Sequence, residues 1–204
     1  MKRSVLFVLG ILAISASAFA QAPAGGGRGG GAPAPAPVVL SPGVTDADLQ
    51  TALMAAPTQL HDGATVIKWK ADFTYDTLRK GNNAIVCMDR SGDPEQQAFM
   101  SECTNLGNLD RAAQNRKAEA LGDRAKTNAM LDAEEKDGSR VKPVYGSVWY
   151  HFMGADKDHA RTHMTIAVPG ATMATTGLPE NGRGGGVWIM NSGTTTAHLM
   201  TPGE

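Results

Sequence analysis

Several residue types are scarce in this chain, and each shortage narrows what it can be. Two cysteines among 204 residues cannot build a disulfide-dense miniprotein or a zinc centre of four thiolates. Aromatics make up only 5% of the chain, and none falls between Phe99 and Tyr145. There is no excess of one charge, with 19 Lys+Arg against 20 Asp+Glu. Arg111, Arg116, Lys117, Arg124 and Lys126 are interleaved with acids and read as a solvated helical face. Nucleic-acid binding, which needs clustered basic excess, is therefore not expected. Also missing are a Gly-x-Ser-x-Gly elbow, a His-Glu-x-x-His pair and a glycine-rich loop ending in Gly-Lys-Ser or Gly-Lys-Thr. No cofactor is expected.

The first twenty residues read as an export signal. Lys2 and Arg3 precede the apolar run Val5–Ala13, and Ala18-Phe19-Ala20 supplies a small-x-small cleavage pattern before Gln21. The run is shorter than the roughly 18 apolar residues that a span requires. No later segment is apolar for long enough, so no membrane span is expected after cleavage. Removing Lys2 and Arg3 leaves 17 basic against 20 acidic residues, a balance of −3. A periplasmic or extracellular location follows from this reading. Residues 21–37 hold six glycines, four prolines and five alanines. They offer no apolar face and read as a disordered Gly/Pro/Ala-rich linker.

Residues 38–204 suffice for a single domain with its own core. Thr45 can cap a helix running to Ala56, with Leu49, Ala52, Leu53 and Ala56 on one stripe. From Ile67 to Thr77 apolar and polar residues alternate, as in a half-buried strand, with a bend near Ala71-Asp72. Lys80-Gly81-Asn82-Asn83 is turn chemistry before a further strand over 84–88. Asp93-Pro94-Glu95-Gln96 has the look of a helix start, and Phe99, Cys103 and Leu106 fall at helical spacing. A second helix is expected from Asn108 to about Asp137, broken at Gly122. Strands return at 147–153, 161–168, 187–191 and 195–200. The expectation is an α+β domain: a mostly antiparallel sheet from the N- and C-terminal strand regions, with a helical insertion between them.

Cys87 and Cys103 are expected to form a disulfide in an oxidising compartment. The bridge would close a 17-residue loop, worth about 3 kcal/mol on the chain-entropy view. Between strands 147–153 and 161–168, one register sets His151 opposite Arg161 and Trp149 opposite His163. Trp149, His151, Arg161 and His163 then share one face, a candidate ligand-binding patch for an anion or sugar-like molecule. His151 and His163 are also the candidate catalytic residues of a hydrolase-type enzyme, with Arg161 beside them and residues 169–186 as a lid. No carboxylate is evident to orient either imidazole. His159 and His163 share the i, i+4 spacing of helical metal sites, but they lie in a strand pattern that holds them about 13 Å apart. His151, His163 and Met153, with further methionines nearby, are the candidate ligands for copper or zinc.

The run Thr77-Leu78-Arg79-Lys80-Gly81-Asn82-Asn83, followed by Cys87 and Glu102-Cys103, resembles a pattern in an uncharacterised family of small exported bacterial proteins with no assigned function. The resemblance implies a hairpin braced by a disulfide and carries no catalytic residue with it. The expected protein is an exported binding domain for an unknown small ligand or an exported protein partner. A hydrolase and a copper or zinc binder are the alternatives.

Overall fold

The computed structural model describes residues 38–201. The expected signal peptide (1–20) and linker (21–37) lie outside the described residues. The chain enters on the short edge strand β1 (Val39–Leu40). Helix α1 (Asp46–Leu53) starts at Thr45, whose hydroxyl accepts from the Asp48 amide while the Asp48 carboxylate accepts from the Thr45 amide. This reciprocal cap satisfies two amides that the first turn would leave open. The single turn α2 (Thr58–His61) follows Pro57.

β2 (Thr65–Trp69) and β3 (Tyr75–Lys80) pair antiparallel, and the bend expected near Ala71-Asp72 is the turn between them. The next connection differs from expectation. β4 (Ile85–Asp89) does not fold back on β3; it pairs parallel with β2, on that strand's other side. The loop at 81–84 therefore crosses the backbone entering β2. A Cβ on Gly81 would lie 2.1 Å from the Gly63 carbonyl oxygen, and the Asn82 and Asn83 amides both donate to that oxygen. The turn chemistry is there, but it serves a crossing rather than a hairpin.

The helix expected from Asp93 is also absent. Glu95 takes a left-handed backbone (φ 62°), and residues 99–105 form strand β5 (Phe99–Asn105). This strand is covered on both faces, so the two-residue period that would have marked it is erased. Two of its buried polar residues are satisfied from afar. Ser101 Oγ donates to the Ala52 carbonyl and accepts from the Ala55 amide, and Thr104 donates to the Val148 carbonyl. Cys87 and Cys103 are direct cross-strand partners, Cα–Cα 4.1 Å, and are joined by a disulfide. The pairing is as expected, but it joins strand to strand.

Helix α3 (Leu109–Glu119) and helix α4 (Arg124–Asp137) meet at Gly122 (φ 62°), and Asp123 caps α4 by accepting from two amides. They form the expected insertion. β6 (Val148–Gly154) and β7 (Arg161–Ala167) follow as an antiparallel pair. The loop 169–186 holds the one-turn helix α5 (Met173–Thr176), and the chain closes on β8 (Trp188–Met190) and β9 (His198–Met200).

All nine strands join one sheet in the order β1-β3-β2-β4-β5-β6-β7-β9-β8, with β2–β4 its only parallel pair among the described residues. The α+β class is therefore seen. One face packs Val66, Cys87 and Cys103 under Leu49, Ala52 and Leu53 of α1. The other sets Ile67, Val86 and Met88 against Leu109 at the head of α3. Each such wholly buried aliphatic side chain contributes roughly 1.5–3 kcal/mol. Among the described residues no helix is long and apolar enough to cross a membrane.

Candidate functional site

Beneath α3 and α4 the sheet carries polar side chains where the far end of the same face carries the core. Strand pairing puts Glu102 of β5 opposite His151 of β6, and His151 opposite His163 of β7, so the three form a row across adjacent strands. The imidazoles of His151 and His163 stack with ring centroids 6.0 Å apart. Trp149 stands two residues along β6 on the same face. The roof comes from α3, where Arg111, Asn115 and Glu119 repeat at four-residue spacing and line one side. Together with Leu131 of α4 and His198 of β9, these groups enclose a cleft of about 340 Å³.

The register differs from the expected one by two residues. His151 faces His163, Trp149 faces Thr165, and Arg161 faces Met153. β6 runs on to Gly154, and Asp156 closes the following loop by accepting from both the backbone amide and the ring of His159. An even slip preserves the face, so Trp149, His151 and His163 still converge on the cleft. Arg161 does not; it is exposed, in a shallow surface hollow with Met153, His159 and His163. The loop 169–186 contributes no lining residue, so the cover is α3 and α4 rather than that loop. Among the described residues no three His, Cys, Asp or Glu side chains are grouped to hold a metal ion. Met153 lies outside the cleft, in the hollow beside Arg161.

Two groups in the site are not expected from the sequence. The first is Glu102, the orienting carboxylate for which no candidate is evident there. Its Oε2 lies 3.4 Å from His151 Nε2 and accepts from Arg90 at 3.0 Å. Burial alone would push this carboxyl up, but Arg90 and His151 outweigh it and hold it down at about 2. Arg90 is itself buried between Glu102, Glu119 and Asp93, and burial works against its charge, yet those carboxylates keep it firmly protonated. The second is Arg111, which the sequence places on a solvated face but which is only 4% exposed. It donates to the Val141 carbonyl and to the hydroxyls of Thr195 and Thr196. Arg116 is likewise not free in solvent: it pairs with Asp93 and lies over the Trp69 ring. The four-residue repeat of Arg111, Asn115 and Glu119 is the sequence signal that could have found this wall.

Glu102 and His151 both line the cleft, and each has one buried atom, Oε1 and Nδ1 respectively, without a hydrogen-bond partner. His163 is held below the usual imidazole range by partial burial and by the neighbouring His151 and His198. The arrangement can therefore accept hydrogen bonds at one wall, offer guanidinium donors at another, and press a flat apolar group against Trp149. Compared with family models, curated proteins and solved structures, the chain matches none of them.

Proposed function

We propose that this chain is an exported binding domain whose cleft beneath α3 and α4 takes a small polar molecule. One observation carries the reading: Glu102, 3% exposed, and His151 line an open cleft, and each carries a buried polar atom without a hydrogen-bond partner. Such atoms cost on the order of 1–3 kcal/mol each when left unmatched, and a ligand donor relieves that cost. The cleft volume sits at the lower end of the roughly 300–1,000 Å³ of small-molecule sites. Export is supported by the leader-like first twenty residues and agrees with a disulfide. The test is a screen of small polar fragments against the full chain, following the imidazole resonances of His151 and His163. Binders that shift both are expected. A screen in which none moves either ring would remove the cleft as a binding site.

The Glu102–His151 contact favours a second reading, a hydrolase-type enzyme. The carboxylate 3.4 Å from Nε2 can orient the imidazole, and Nδ1, which has no partner, is the nitrogen left to act as a base. In this version Arg161 has no part, because it lies outside the cleft. Sustained turnover of an ester or phosphate by purified protein, lost in His151→Ala, would favour the enzyme over the binder.

A further inference from the structure

The cleft has a second recognition surface opposite the Glu102–His151 wall, and together the two define a class of ligand. Arg111 carries five N–H donors. Among the described residues its Nη1 is engaged by the Val141 carbonyl and the Thr195 hydroxyl, and its Nη2 donates once, to the Thr196 hydroxyl. That leaves the Nε–H and one Nη2–H without a partner among these contacts, two donors that a carboxylate can take. All three named partners are neutral oxygens, so no carboxylate is bonded to this buried guanidinium. Arg140, 5% exposed, also lines the cleft, and its carboxylate neighbour Glu134 sits 3.6 Å away without lining it. Burial first, and Arg140 after it, press the Arg111 group down to about 10 against the opposing pull of Glu135 and Glu134. By contrast, Arg90 is fully matched by its own carboxylates.

Accepting that the cleft is a ligand site, we infer that its ligand is a sugar acid: a monosaccharide-sized molecule with one carboxylate and several hydroxyls. The carboxylate pairs with the two remaining donors of Arg111. Hydroxyls donate to Glu102 Oε1 and His151 Nδ1, the two acceptors that lack partners. Trp149 offers the flat apolar surface on which the C–H face of a sugar ring rests. A simple carboxylate would leave the Glu102 wall unmatched. A neutral sugar would leave Arg111 unmatched, and unmatched buried polar groups are what a site of this kind discriminates by. The cleft of about 340 Å³ suits a single sugar unit rather than a chain.

The experiment is calorimetric titration of the full chain with glucuronate, galacturonate and gluconate, against glucose and acetate, with the His151 and His163 resonances followed in parallel. At least one sugar acid is expected to bind tenfold or more tightly than both glucose and acetate and to shift both imidazoles. Arg111→Gln should bring that sugar acid to the level of glucose and leave glucose unchanged. If this variant fails to fold, the comparison on the unaltered chain decides alone. Glucose or acetate binding as well as every sugar acid would overturn the ligand class while leaving the cleft a binding site. No sugar acid shifting either imidazole, while other fragments do, would also overturn the class and spare the site. If no molecule of any kind shifts them, the cleft reading itself falls.

Discussion

Replacing Glu102 by glutamine keeps the side-chain shape and removes one charge from the network under α3. In the folded chain the Glu102 carboxyl titrates at about 2, against an ordinary 4.5. Each tenfold gain in acidity is equivalent to about 1.4 kcal/mol, so ionised Glu102 contributes about 3 kcal/mol at neutral pH. Because its folded value is the lower one, that contribution is present above pH 4.5 and is lost as pH falls towards 2. A second route gives a similar figure. Removing one partner of a buried ion pair costs roughly 3–5 kcal/mol, and Arg90 keeps Asp93 and Glu119, which favours the lower end. Glu102→Gln is therefore expected to lose about 3 kcal/mol in urea denaturation at pH 7, or roughly 6–12 °C in melting temperature for a domain of this size. The variant should also show a flatter loss of stability between about pH 5 and pH 2 than the unaltered chain. A loss below about 1 kcal/mol at pH 7, or an unchanged acid limb, would refute the reasoning.

Other outcomes follow from the same contacts. His163 should titrate below 6.5 in an NMR pH series. The unfolded chain then binds that proton first, so stability declines as pH drops from 6.5 through the folded value, and His198→Asn should raise the His163 midpoint by removing a neighbouring charge. Gly81→Ala should cost about 2 kcal/mol or more, because the added Cβ meets backbone of Gly63 and Ala64, whereas Gly184→Ala, in open space, should be nearly neutral by denaturant melt. Replacing both Cys87 and Cys103 by alanine should lower unfolding free energy by about 3 kcal/mol, and adding reductant to the variant should then change nothing further.

What is legible along the chain is whatever depends on local order. The Thr45 cap, the bend between β2 and β3 and the break at Gly122 are each encoded within a few residues, and each forms where expected. β5 reads as a helix because its true signal is not local. Covered on both faces, it shows no alternation, and Ser101 and Thr104 are made tolerable by partners some 45 residues away. The parallel β2–β4 pairing is hidden for a similar reason, since a turn sequence says that the chain reverses but not which strand receives it. In the cleft, alternation places Trp149, His151 and His163 on one face, whereas Glu102 and Arg111 arrive from a neighbouring strand and from an overlying helix. A helix at β5 gives Glu102 no reason to meet an imidazole. A solvated α3 leaves Arg111 outside any site.

The most direct check on the cleft is the protonation state of the His151 ring, observed by nitrogen–proton correlation of the imidazoles in the full chain at neutral pH. With Glu102 holding Nε2, the ring is expected to carry its proton on that nitrogen, to leave Nδ1 bare, and to lose this preference in Glu102→Gln. A proton on Nδ1, or a His151 signal indifferent to that substitution, would contradict the dyad on which both proposed functions rest.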